Sequence, residues 1–212
     1  MRVKVCGITN LKDALLAEAA GADALGFIFV EKSKRYVTPD VVQPIVAELG
    51  PFVSKVGVFV DAPLKEMQEV ARAARLDTIQ LHGTESAEVA SELRKDFKVV
   101  KVFAFVPDLD LEDLKTYPAD AVMLDGIKPG SGEIFAWSDA SFLRGFPKLI
   151  LAGGLNLENV TAGIEALQPY AVDVASGVEA SAGVKDGEKV RRFIVQAKGA
   201  RARESKLIQS PG

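Results

Sequence analysis

Short runs rich in Val, Ile, Leu and Phe recur along the chain, separated by longer stretches whose apolar residues fall three and four apart. The runs are RVKVC from Arg2, DALGFIFV from Asp23, VSKVGVFV from Val53, DTIQLH from Asp77, KVVKVFAF from Lys98, DAVML from Asp120, KLILA from Lys148 and AVDVAS from Ala171, eight candidate strands in all. Helical spacing covers Leu11 to Ala20, Asp40 to Leu49, Pro63 to Arg75, Glu85 to Lys95, Leu157 to Leu167 and Glu188 to Ala197. Pro39 and Pro63 suit first turns, and Thr9 or Asn10 suits the cap of the first helix. Two links are weaker: Leu109 to Tyr117 makes only a short helix, and Trp137 to Leu143 a turn or two.

Strict alternation of strand and helix fits either an open doubly wound sheet or a closed (β/α)8 TIM barrel of the α/β class. Side-chain parity separates them. Val3 and Val5 share one face of the first strand, opposite Arg2, Lys4 and Cys6. Thr78, Gln80 and His82 oppose Ile79 and Leu81, and Val172 and Val174 oppose Ala171, Asp173 and Ala175. An apolar face against helices and a mixed face toward a closed lumen produce this pattern, whereas a sheet covered on both sides is more evenly apolar. The expectation is one barrel domain over 1–212, with the polar segment 201–212 as a frayed or docked tail.

Composition narrows the class further. Of the 212 residues, 48% are hydrophobic, enough for a core without staples. The opening MRVKVCGIT has no signal-peptide pattern, and no window approaches the roughly 18 apolar residues of a membrane span, so a cytoplasmic address without membrane contact is expected. Cys6 is the only cysteine and His82 the only histidine, which leaves no intramolecular disulfide and no conventional zinc site. A net charge of −3 without a basic stripe makes nucleic acid an unexpected partner. A small anion remains compatible, because a few local donors suffice to hold a phosphate.

Active sites of such barrels sit where strands end. Cys6, ending the first strand, reads as a small buried hydrophobe or as a general base, with Lys4 on the same face as the cation that favours a thiolate. Asp125, ending the sixth, reads as a turn cap before Gly126 or as a proton donor across the lumen from Cys6. His82 reads first as a rim residue, with Gln80 positioning rather than moving protons, and Arg35 as a surface charge or a carboxylate clamp. Gly153 and Gly154 after the seventh strand, and Ser176 and Gly177 after the eighth, occupy the two loops that form a phosphate site in this architecture, with a short helix start expected near Ser181. The glycine-rich segment Gly126 to Glu133 reads as a substrate lid or an ordinary connection.

Six segments in order carry a specific resemblance: KVCGIT at Lys4 to Thr9, ALGFIF at Ala24 to Phe29, KVGVF at Lys55 to Phe59, QLHG at Gln80 to Gly83, LAGGL at Leu151 to Leu155 and VDVASGVE at Val172 to Glu179. Over nearly its whole length the chain resembles the phosphoribosylanthranilate isomerase family of tryptophan biosynthesis. The resemblance implies a cofactor-free Amadori rearrangement of N-(5-phosphoribosyl)anthranilate to 1-(2-carboxyphenylamino)-1-deoxyribulose 5-phosphate. Cys6 takes the role of general base, Asp125 of general acid and Arg35 of anthranilate binder. Gly153, Gly154, Ser176 and Gly177 take the phosphate, and Lys4, Gln80, His82 and Asp173 stand in support. That chemistry asks for an acid raised from about 3.9 and a thiol lowered from about 8.5. Monomer and homodimer are both compatible with the resemblance.

Three positions depart from the family pattern. Ser33, Lys34, Arg35 stand where SPR is common; Ala136 replaces the aspartate of GGTGxxFDW; and Ala182 replaces a usual proline. With Cys6, Arg35 and Asp125 present, these changes bear on loop rigidity more than reaction type. The alternatives are another phosphosugar barrel enzyme or a noncatalytic barrel that binds a phosphorylated metabolite. Relatives of indole-glycerol-phosphate synthase use lysine and glutamate, the sugar isomerase of histidine synthesis uses two aspartates, and a metal-dependent epimerase needs two histidines.

Overall fold

The computed structural model describes residues 1–106, 109–126 and 137–208, with side chains to residue 200. Eight parallel strands close into a barrel: β1 (Arg2–Cys6), β2 (Ala24–Ile28), β3 (Ser54–Phe59), β4 (Thr78–Leu81), β5 (Lys98–Ala104), β6 (Ala121–Asp125), β7 (Leu149–Leu151) and β8 (Ala171–Val174). The closing pair, β1 with β8, aligns Lys4 with Asp173 and Val5 with Val174, which rules out the open sheet.

Helices α1 (Leu11–Ala19), α2 (Pro39–Glu48), α3 (Leu64–Ala73), α4 (Ala87–Leu93), α5 (Leu111–Thr116), α6 (Val160–Leu167) and α7 (Gly187–Ile208) connect or follow the strands. Asn10 caps α1 by accepting the Asp13 amide at 2.9 Å, while Thr9, the other candidate, donates to the Gly183 carbonyl instead. Pro39 opens α2, whereas Pro63 stands just ahead of α3 rather than inside it. Among the described residues, the link between β6 and β7 holds only a 3-10 turn, Ser141–Leu143. The last helix runs past Ala197, where the apolar pattern ends, into the polar segment expected to be a tail, and reaches Ile208.

Side-chain parity acts as the sequence suggests. Val3, Val5, Leu25, Phe27, Ile79, Leu81, Val172 and Val174 point outward into the main core beneath the helices. Burying each such side chain contributes on the order of 1.5–3 kcal/mol. Inside the barrel, Val102, Met123, Ile150, Ala152 and Ala171 form a separate apolar cluster on the β5–β8 side. The β1–β4 side carries buried Lys4, Thr78 and Gln80. The lumen is thus apolar toward β5–β8 and mixed toward β1–β4, where Val56 and Val58 of β3 are buried beside these polar groups. No described helix is long and apolar enough to cross a membrane.

Candidate active site

At the carboxyl ends of the strands a cavity is lined by Cys6, Arg35, Gln80, His82, Asp125, Gly153, Gly154, Asp173 and Ser176, together with apolar neighbours. Strand direction explains the convergence, because each strand presents its last inward residue to the same mouth. Of the residues singled out in the sequence, only Lys4 and Gly177 fall outside this lining.

Cys6 is buried, beside Gly26 on the neighbouring strand. A Cβ at Gly26 would sit 2.6 Å from Cys6 Sγ and 3.0 Å from Lys4 Nζ, so only glycine leaves room there for both groups. Lys4, one layer deeper, donates to Asp173 Oδ1 at 2.9 Å and lies within hydrogen-bonding reach of the thiol. The expected depression of the Cys6 pKa is not found. Burial pushes the thiol up from its ordinary value, and the Lys4 charge only partly offsets that, with Asp173 adding to the rise. Burial also pulls on the Lys4 ammonium, but Asp173 and Cys6 opposite outweigh it and raise its pKa. Burial therefore favours the neutral form of Cys6, with the Lys4 cation placed to stabilise its anion.

Asp125 is 5% exposed. Its Oδ1 accepts the Gly126 amide at 2.8 Å, and its Oδ2 lies 3.2 Å from His82 Nε2. On the far side of the imidazole, Nδ1 lies 3.2 Å from Gln80 Nε2. The histidine is thus a link in a row from β4 to β6, not merely a rim residue. Gly153 has φ +81°, and a Cβ there would lie 2.6 Å from the Gly126 nitrogen and 2.8 Å from Asp125 Oδ1. This glycine is needed as much for its approach to the carboxylate as for a phosphate loop.

Arg35 reaches the mouth from the loop after β2, where two of its nitrogens donate in a fork to Glu179, Nε to Oε1 and Nη2 to Oε2, both at 2.7 Å. The hydrogen bonds to Glu179 raise the arginine's pKa. Burial works against the Glu179 carboxylate, yet Arg35 and Lys185 hold it below its ordinary value. Lys185 Nζ, fully enclosed, donates to Glu179 Oε1 at 2.9 Å, the Cys6 carbonyl at 2.6 Å and the Ala175 carbonyl at 3.2 Å. Burial lowers its pKa against the pull of Glu179. Glu179 and Lys185 were not singled out in the sequence as residues with roles; one ends a recognised motif and the other sits in a polar stretch. Their partners lie 144 and 179 positions away, beyond any local pattern.

The helix start expected near Ser181 is absent. Ser176–Val178 forms a 3-10 turn, and Glu179–Ser181 (β9) pairs antiparallel with Val184–Lys185 (β10), turning at Gly183 with φ +80°. The hairpin wins because it delivers Glu179 and Lys185 to the same buried cluster. Gly177 faces the backbone of the β7 loop, where a Cβ would collide with the Leu155 carbonyl, so it packs the two candidate phosphate loops together rather than lining the cavity. Of the candidate lid, Gly126–Glu133, only Gly126 is described; residues 127–133 and Ala136 lie outside the described residues.

Residues 3–196 match the family described as N-(5'phosphoribosyl)anthranilate (PRA) isomerase. The chain is 47% identical over 201 residues to the N-(5'-phosphoribosyl)anthranilate isomerase of Geobacter sp. (strain M21), covering 93% of this chain and 98% of that one. It is similar to the crystal structure of phosphoribosyl anthranilate isomerase from Thermus thermophilus, with TM-score 0.88 and 45% identity, covering 94% of this chain and 99% of that chain. A second phosphoribosyl anthranilate isomerase, solved in complex with reduced 1-(o-carboxyphenylamino)-1-deoxyribulose 5-phosphate, aligns with TM-score 0.86 and 42% identity, covering 94% of this chain and 99% of that chain. With a closed barrel, a cysteine and an aspartate at one mouth, and a match across nearly its full length, the chain belongs to the N-(5'-phosphoribosyl)anthranilate isomerase family.

Proposed function

We propose that the chain converts N-(5-phosphoribosyl)anthranilate to 1-(2-carboxyphenylamino)-1-deoxyribulose 5-phosphate in tryptophan biosynthesis, with Asp125 as general acid and Cys6 as general base. The carrying observation is that Cys6 and Asp125, from strands on different sides of the barrel, line one cavity with Arg35 and the loops after β7 and β8. Asp125 donates its proton to the ribose ring oxygen as the bond from C1 to that oxygen breaks, and the anilino nitrogen supplies the electron pair that forms the Schiff base. Cys6, as thiolate, removes the proton from C2 and leaves an enolamine, which becomes the ketone as a proton moves from O2 to C1. The nitrogen of the substrate serves as the electron relay, so the reaction as written calls for no cofactor.

Deprotonating Cys6 is the demanding step, since burial favours the neutral thiol. Lys4 supplies the compensating charge, and Asp173 keeps that lysine in place. Arg35 offers Nη1 to the anthranilate carboxylate while Glu179 holds the rest of its guanidinium still. Gly153, Gly154 and Ser176 hold the phosphate through backbone donors, and Gly177 keeps their two loops in contact. Steady-state turnover of substrate generated from anthranilate and phosphoribosyl pyrophosphate tests the reading. No turnover by the folded wild-type protein would overturn it.

A further inference from the structure

The row Gln80, His82, Asp125 holds an unresolved polar atom. Gln80 is 1% exposed, and its Oε1 is buried without a hydrogen-bond partner, although its Nε2 is 3.2 Å from His82 Nδ1. In that arrangement the amide N–H donates to Nδ1, so the imidazole carries its proton on Nε2 and donates it to Asp125, an acceptor that the carboxylate supplies best. A half-turn of the amide about its last side-chain bond reverses every link. Oε1 then accepts from Nδ1–H, and in the neutral imidazole the bare Nε2 faces Asp125, so the 3.2 Å contact is a hydrogen bond only if Asp125 carries the proton. The buried oxygen acquires its missing partner in the same movement.

These two arrangements match the two states of Asp125 that the proposed reaction passes through, before and after it gives its proton to the ring oxygen. We infer that Gln80 is a positioning residue which, by turning its amide, sets the tautomer of His82 and so matches the row to the protonation state of Asp125. The inference rests on the proposed role of Asp125 as the acid. No proton passes along the row: the tautomers of the imidazole exchange through solvent while Asp125 is reprotonated between turnovers. The other ionisable groups on the cavity, Cys6, Arg35 and Asp173, make no hydrogen bond to the imidazole among the described residues, so the tautomer is governed from its two ends. Gln80, held in β4 between Ile79 and Leu81, has its backbone fixed and only its terminal amide to turn.

His82 is the only histidine in the chain, so protein labelled with 15N at histidine alone yields one pair of ring-nitrogen signals. The free enzyme is expected to show the Nδ1–H tautomer. Saturation with reduced 1-(o-carboxyphenylamino)-1-deoxyribulose 5-phosphate, which mimics the state after ring opening, is expected to switch it to Nε2–H. In Gln80→Met, which keeps length and removes both hydrogen-bonding atoms, the signals should average between tautomers in both states. Its kcat should fall at least about tenfold with KM little changed, as happens when a catalytic histidine loses the group that fixes its tautomer. A wild-type tautomer identical with and without the bound analogue would overturn the inference, and that result needs no variant to fold. An unchanged spectrum or kcat in folded Gln80→Met would overturn it as well. Failure of the wild type to bind the analogue or turn over substrate would instead overturn the proposed function, so the two failures are distinguishable.

Discussion

The two mouths of the barrel are built from the same eight strands and differ in almost everything else. The amino-terminal mouth encloses the larger cavity, about 430 Å3 against about 110 Å3 at the carboxyl-terminal mouth. It is ringed by Arg2, Lys98, Lys148 and Tyr170, with Phe52 standing 97% exposed beside it. The smaller mouth holds the thiol, the carboxylate, the histidine and two glycine-bearing loops. Size is thus a poor guide to chemistry here. What distinguishes the smaller cavity is that its polar groups are tied to buried partners: Asp125 to His82, Asp173 to Lys4 beneath it, and Arg35 to Glu179, which also holds Lys185. The charges at the wider mouth are held more loosely, as by the Lys98 and Asp120 contact at 3.3 Å, with that lysine's side chain largely in solvent.

The sharpest way to break this contrast is to delete proton-handling groups at one mouth and the prominent side chain at the other. Cys6→Ala and Asp125→Asn should each lower kcat by about 10²–10⁴-fold, the usual reach of general acid and base catalysis, with KM nearly unchanged in a steady-state assay. Glu179→Gln comes next, because it leaves the fork of Arg35 and the enclosed Lys185 without their carboxylate. Breaking a buried pair costs on the order of 3 kcal/mol, and a melting experiment should register the loss. The same variant should raise KM as Arg35 loses its brace, so thermal unfolding and kinetics together separate a structural splint from an idle salt bridge.

A smaller effect concerns pH. Burial raises the Cys6 pKa, so the thiolate saturates only above the ordinary thiol range, and because the proposed acid Asp125 must keep its proton, kcat/KM should fall rather than rise once that point is passed. Stability runs in the same direction: a thiol kept neutral by the fold stabilises it below the ordinary thiol value and loses that contribution as the unfolded chain ionises above it. Lys4→Met should move the alkaline limb of kcat/KM still higher, and a limb that stays in place would remove Lys4 from the role given to it. The smallest effect belongs to the other mouth. Phe52→Ser should leave kcat and KM unaltered and shift stability by no more than about 0.5 kcal/mol, measured by denaturant titration.

The same contrast explains what could be read from the sequence. Alternation along β1, β4 and β8 revealed the lumen because parity is a local property of a strand, and it placed Lys4, Cys6, Gln80 and Asp173 on the correct face. Cys6 and Asp125 were visible as polar residues ending apolar runs. Glu179 and Lys185 were invisible because Arg35 and the Cys6 carbonyl, the partners that tie their pair to the site, are distant in sequence and meet them only when the barrel closes. Gly26 hid in an apolar run, its value lying in the Cβ it lacks beside Cys6 Sγ. The wrong direction for the Cys6 pKa has a similar origin: the sequence displayed the neighbouring cation, but only the fold revealed how completely the thiol is removed from water.

Lys185 grips the carbonyl of Cys6 across 179 positions of chain, and β8 completes the wall beside β1. During synthesis the thiol therefore leaves the ribosome 179 residues before the lysine that seats it. A chain halted before β8 would carry Cys6 without Asp173 to hold Lys4, without Glu179 to hold Arg35, and without a closed lumen to keep water from the sulfur. The order of manufacture thus withholds the surroundings of the thiol until β8 and the hairpin after it have joined β1.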